Sequence, residues 1–288
     1  MKKVLTLLSL CFAFAAQSQT VEEILAKFEA ASGGREKLEA IKQLQISSTV
    51  KLGVMGQDIE LPTTLVREKG HLFRRQIGGY MGMGDSYTMI TDTSGVLYVP
   101  AMRMFGGGGG FGGGGGFERG GFGGGQGGSN NKPTILYMKS DEVAAQQFEL
   151  DSEGFFPELV NPAAKGHTAQ LLGTEKAAKT QCYKIKLTLK TGQSAIYYID
   201  TQTFLVKQME ASGVMALNMT GLASLMKAFE RDTKKDTKAT ITVKEYQDFK
   251  GIKFPAKFIM SFGPLEAQVE NYNVQINEGL EDKWFVVK

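Results

Sequence analysis

From Tyr183 to Lys190 the chain alternates strictly, with Tyr183, Ile185, Leu187 and Leu189 apolar and Lys184, Lys186, Thr188 and Lys190 polar or charged between them. Successive side chains of a strand point to opposite faces, so this spacing requires a β-strand with one dry and one wet side. Thr191-Gly192 turns that strand into another over 194–200, and Asp200-Thr201-Gln202-Thr203 turns the second into a third over 204–210. Comparable runs rich in Val, Ile, Thr, Leu and Tyr lie near 44–53, 57–69, 71–78, 86–91, 95–99 and 135–138, and again at 238–247, 252–262 and 265–275. They succeed one another in hairpin order. The expected fold is mainly β, with about ten to eleven antiparallel strands and few helices. One face of such a sheet has to be covered.

The covering elements are legible too. Thr20-Val21-Glu22-Glu23 is a capping box that starts a helix with Ile24, Leu25, Phe28 and Ala31 on one face, and Gly33-Gly34 stops it. A second short helix is expected over 35–43, carrying Leu38 and Ile41, and a third over 141–150, capped by Ser140, with Val143, Ala144 and Phe148 on one side. None of these could bury its apolar stripe alone.

The first residues indicate a compartment. Met1-Lys2-Lys3 is basic, Val4 to Ala16 is apolar apart from Thr6 and Ser9, and Ala16-Gln17-Ser18 places small residues before Gln19. That pattern predicts a signal peptide over 1–18, cleaved near Ser18/Gln19, and an exported, periplasmic protein. Leu10 before Cys11 is not the small residue that a lipoprotein signal needs, so no lipobox is expected, and no later stretch is long enough to span a membrane. Loss of Lys2 and Lys3 brings the formal net charge from +3 to about +1, which leaves no electrostatic footprint for nucleic acid. Cys182 is then the single remaining cysteine, so no internal disulfide can form. Stability must come from a real core.

Two segments interrupt the strand pattern within what reads as one domain over 19–288. Seventeen of the 36 glycines fall between Gly106 and Gly128, so 106–131 is expected to be a disordered loop insertion between two strands. Its single Arg119 argues against a nucleic-acid-binding glycine-arginine segment; a tolerated loop or a sticky surface contact fits better. The second segment, 212–230, repeats Met215, Met219, Leu222, Met226 and Phe229 at three- and four-residue spacing, an amphipathic helix with a methionine-rich face. Methionine fills irregular apolar space, so this helix suits either a lid over an oily ligand or a plug in the sheet.

No constellation for chemistry emerges. His71 and His167 stand far apart, no cysteine cluster or zinc-binding histidine pair exists, and no metal or cofactor site is expected. Gly84-Asp85-Ser86-Tyr87-Thr88 lacks the last glycine of a nucleophile elbow, and no glycine run leads into a phosphate-binding lysine motif. No catalytic residue is assigned, and the inventory favours binding over catalysis.

The opening Ile24-Leu25-Ala26-Lys27-Phe28, Gly33-Gly34-Arg35-Glu36-Lys37-Leu38 and Ile41 carry a family resemblance. So do Lys165-Gly166, Leu171-Leu172-Gly173, Cys182 to Leu187, Tyr198 to Thr203, Tyr246 to Pro255 and Val274 to Asn277. The chain resembles the lipoprotein-localisation-carrier-like (LolA/LolB-like) family of periplasmic lipoprotein-sorting proteins over most of 20–278. The resemblance implies an incompletely closed antiparallel β-barrel whose concave apolar face is covered by helices and receives lipid acyl chains. It implies a lipidated protein or lipid as partner, with transient contact to a membrane-bound donor or acceptor, and no enzyme activity. Lys69-Gly70 stands where the family has an Arg-Pro step before the third strand, so Lys69 is a candidate for that residue's role in ligand release, although lysine does not replace arginine's planar fork. The candidate lid and groove residues are thus Met215, Met219, Leu222, Met226, Phe229 and Lys69. The alternative is a cell-envelope interaction module with a plugged sheet; an envelope hydrolase is a distant third.

Overall fold

The computed structural model describes residues 19–54, 57–79, 84–101, 132–222 and 237–287. The expected signal peptide, the glycine tract 106–131, Met226 and Phe229 lie outside the described residues.

The chain opens with α1 (Val21–Ala31), whose capping box forms as expected: the Glu23 amide donates to the Thr20 hydroxyl at 3.2 Å and the Thr20 amide to the Glu23 carboxylate at 3.3 Å. Gly33 follows at φ +129°, and a Cβ there would lie 2.6 Å from the Gly251 carbonyl, so glycine lets this end of the helix press against a distant turn. The helix α2 (Arg35–Glu39) is shorter than the expected 35–43 and leaves Ile41 buried just beyond it.

Thirteen described strands make one antiparallel sheet: β1 (Gln43–Val54), β2 (Gln57–Glu68), β3 (Leu72–Ile77), β4 (Ser86–Thr91), β5 (Gly95–Val99), β6 (Thr134–Tyr137), β7 (Thr168–Ala177), β8 (Thr180–Thr188), β9 (Ser194–Asp200), β10 (Val206–Ser212), β11 (Lys238–Phe249), β12 (Ile252–Phe262) and β13 (Leu265–Ile276). Their order is β6-β5-β4-β3-β2-β1-β13-β12-β11-β10-β9-β8-β7. The sheet is a meander whose first and last strands pair, and β6 and β7 remain its two edges, so the barrel stays open. This exceeds the expected ten to eleven strands; all twelve runs named above form strands. The strand missed by pattern is β7, an edge strand whose residues are mostly exposed and so carry little alternation. The strand expected from Phe204 begins at Val206, because Asp200 Oδ1 accepts from the amides of Gln202 (2.7 Å) and Thr203 (3.2 Å) and Phe204 takes φ +55°.

The connection between the two edges, 138–167, runs over the inner face. It holds α3 (Ser140–Gln146) and three 3₁₀ turns at 147–150, 157–159 and 162–165. The expected helix over 141–150 therefore tightens after Gln146, and Lys139 rather than Ser140 is its N-cap. Phe148, Phe156, Leu159 and Val160 of this segment join Ile24, Phe28, Leu38, Ile185, Tyr197 and Phe254 in the principal core. A smaller cluster of Val66, Tyr87, Met89 and Val96 on the opposite face is covered by Trp284, and the Arg74 guanidinium lies 3.7 Å from the Tyr87 ring centre. The buried Cys182 thiol is pushed up to about 11 by desolvation, as expected of a structural rather than a reactive cysteine.

Candidate functional site

Registered pairs carry one row of side chains across the inner face: Ile185 opposes Tyr197, Tyr197 opposes Met209, Met209 opposes Ile241, Ile241 opposes Met260, Met260 opposes Ala267, and Ala267 opposes Leu52. Residues paired across antiparallel strands share a face, so the row is continuous. Toward β8 the edge connection covers it, Phe156 meeting the Tyr197 ring edge-on at 6.2 Å and Glu158 accepting from the Tyr197 hydroxyl. From Met209 to Leu52 it instead lines a cavity of about 170 Å³. Cavities of about 150 Å³ lined by aliphatic and aromatic groups stay dry and accept small apolar molecules, so this space exceeds a packing defect.

The roof is α4 (Gly213–Thr220), which packs on β10, β11 and β12. Met215, Met219 and Leu222 all line the cavity, so three of the six candidate residues lie together; Met226 and Phe229 are undescribed. Within the described residues α4 ends at Thr220, where Gly221 takes φ +71° and its amide closes the last turn on Leu217 and Asn218; residues 223–230 of the expected 212–230 lie outside them. Met215 and Ala216 are buried in the principal core, while Met219 and Leu222 are only partly covered. The helix is thus plug at one end and cover at the other. Phe155 and Phe156 complete the roof, Phe155 meeting the Phe258 ring edge-on at 5.5 Å.

Lys69 is elsewhere. Its Nζ lies 2.7 Å from Glu153 Oε1 and donates to the Glu39 carbonyl at 3.3 Å, tying the β2–β3 turn to the edge connection and α2. The arginines that do line the cavity, Arg67 and Arg75, were not singled out from the sequence. The available signal was their odd-numbered register with Leu65 and Ile77 on strands whose odd positions face inward.

These arginines form a charged site in a mainly apolar space. Arg67 Nη2 donates to Glu149 Oε2 at 2.8 Å, and both side chains are buried. Arg75 Nη1 donates to the backbone carbonyl of Asn218 in α4, and burial holds its guanidinium below the ordinary range. Glu158, also on the wall, accepts from the Tyr197 hydroxyl; burial pushes its carboxyl up, opposed by that hydrogen bond, and lifts the Tyr197 phenol well above its usual value. Ser48 and Asn271 satisfy each other at 2.6 Å, and Asn271 donates onward to the Pro255 carbonyl. Among the described residues no cluster of three or more His, Cys, Asp or Glu could hold a metal, and no helix is long and apolar enough to cross a membrane.

No family model and no curated protein matches the sequence. Solved structures do match. A LolA superfamily protein from Nitrosomonas europaea aligns over 94% of this chain and 99% of its own, with 11% identity and a TM-score of 0.52. A domain described as outer membrane lipoprotein-sorting, from Vibrio parahaemolyticus, aligns over 91% and 94% with 11% identity, at a TM-score of 0.49 that adds no further weight. The chain has a LolA-like fold: an open antiparallel β-barrel with helices on its inner face.

Proposed function

We propose that this protein is a periplasmic, non-catalytic carrier or binding protein for lipid, either free or as the acyl chains of a lipidated protein. The observation that supports this most is the apolar cavity between the Met209-to-Leu52 row and the methionine-bearing underside of α4. Each methylene sheltered from water is worth about 0.8 kcal/mol, so a long acyl chain costs on the order of 10 kcal/mol to hold in an aqueous compartment. A sheltering site for such a chain needs apolar walls and a cover that can repack; methionine and a short helix closed by one glycine fit that need. The basic-then-apolar N-terminal pattern supports export, and the LolA-like fold supports a lipid ligand in general.

Burial of Met215 and Ala216 in the principal core favours a second reading, a plugged envelope module in which α4 never moves. Titration of delipidated protein with a fluorescent fatty acid separates the two. The carrier reading expects saturable binding with a Kd on the order of micromolar, lost when Val50→Phe and Ala267→Phe fill the cavity. Absence of binding by the unaltered protein would favour the plug.

A further inference from the structure

We propose that the cavity selects lipids bearing an anionic head group, with the acyl chain among the apolar walls and the anion on Arg67 and Arg75. This rests on the lipid-binding reading above and adds the class of ligand. The register places the two arginines together: Leu65 of β2 opposes Arg75 of β3, and Arg67 opposes Phe73, so Arg67 and Arg75 are diagonal neighbours on the inner face.

Their charges are not balanced. Arg67 is matched by Glu149 at 2.8 Å, but among the described residues Arg75 has a backbone carbonyl as its hydrogen-bond acceptor and no carboxylate within ion-pair distance. Glu158 is committed to the Tyr197 hydroxyl and makes no ion pair with Arg75. Arg67, only 5% exposed, also has its Nε buried without an acceptor. A buried guanidinium with unused donors is costly in an apolar space, and a carboxylate or phosphate oxygen would satisfy both deficits. The planar fork of arginine suits such a pair, and the registered row Met209, Ile241, Met260, Ala267 and Leu52 offers a ligand's tail only carbon and sulfur.

The test measures competitive displacement of a fluorescent fatty acid from the full-length delipidated protein at pH 8 by palmitate, hexadecanol and hexadecyl phosphate. Palmitate is expected to bind at least about tenfold more tightly than hexadecanol. Arg75→Met should abolish the preference for palmitate over hexadecanol, and Arg75→Gln provides the same comparison if the first variant fails to fold. Hexadecyl phosphate binding as well as palmitate identifies a general anion site, and weaker binding identifies a carboxylate site; both support the proposal. Equal affinity of palmitate and hexadecanol for the unaltered protein would overturn head-group selection while leaving lipid binding intact. Equal weakening of both ligands by Arg75→Met would assign Arg75 a purely structural role. Failure of all three ligands to bind would remove the lipid reading itself, and this proposal with it.

Discussion

Arg75 on β3 donates through Nη1 to the backbone carbonyl of Asn218, joining the sheet to the short helix that roofs the cavity. The two residues are 143 positions apart in sequence, and this hydrogen bond links the third strand to the last turn of α4. A hydrogen bond from a charged donor contributes roughly 1.5–3 kcal/mol. In Arg75→Met, amide exchange over Leu217–Gly221 should therefore quicken by about tenfold or more, while β8 and β9 keep their protection. Unchanged exchange in α4 would show that the helix is held by packing alone.

Gly221 should be sensitive for a reason separable from backbone preference. It sits at φ +71°, and a Cβ there would collide with Arg75 Cδ; Gly192 sits at φ +86° with open space around it. Each Gly→Ala change incurs the left-handed penalty of about 1–2 kcal/mol. Gly221→Ala is expected to lose about 1 kcal/mol more than Gly192→Ala in denaturant unfolding, because the guanidinium has to shift. Equal losses would mean that Arg75 moves away freely.

The Arg67–Glu149 pair predicts a large and non-additive effect. Both side chains are buried, so Glu149→Gln strands a charge and should cost about 3–5 kcal/mol. Arg67→Met combined with Glu149→Gln should recover a large part of that loss in a double-mutant cycle. Additive losses would contradict a coupled pair.

His167 supplies a pH signature. Burial, aided by Lys165 and Lys190, lowers its pKa from 6.5 to about 4, and its Nδ1 accepts from the Lys190 amide at 3.2 Å. Between pH 6.5 and about 4 the unfolded chain binds this proton and the folded chain does not, so stability falls as pH falls through that window and levels off below it. The loss approaches about 3 kcal/mol at 1.36 kcal/mol per unit. Asp151 and Glu158, both raised by burial, act in the opposite sense, so the informative curve is the difference between the unaltered protein and His167→Asn, which keeps an acceptor for Lys190. That difference should slope only within the window; a flat difference would place the histidine in water.

Strict alternation at 183–190 and the capping box at Thr20 declared themselves because each rests on contacts within a few residues or on one repeated period. The edge strand β7 did not, since most of its residues are exposed and the few that pack inward, Ala169 and Leu171, are too few to set a pattern. Within the site, Met215, Met219 and Leu222 were legible from helical spacing, and all three line the cavity. Arg67 and Arg75 were not, because a charged residue in a strand reads as solvent-facing until the pairing register turns it inward. Lys69 was suggested by its place before β3, but the turn points it at Glu153, away from the cavity.

Methionine methyl resonances offer the most direct view of the central claim. Met209, Met215, Met219 and Met260 line the cavity, while Met89 belongs to the cluster on the opposite face of the sheet. With ¹³C-methyl-methionine protein and a stearate carrying a nitroxide on its chain, the first four signals should broaden saturably at about one equivalent while Met89 stays sharp. Broadening of Met89 alone, uniform broadening of all five, or none at all would contradict an acyl chain seated between the sheet and α4.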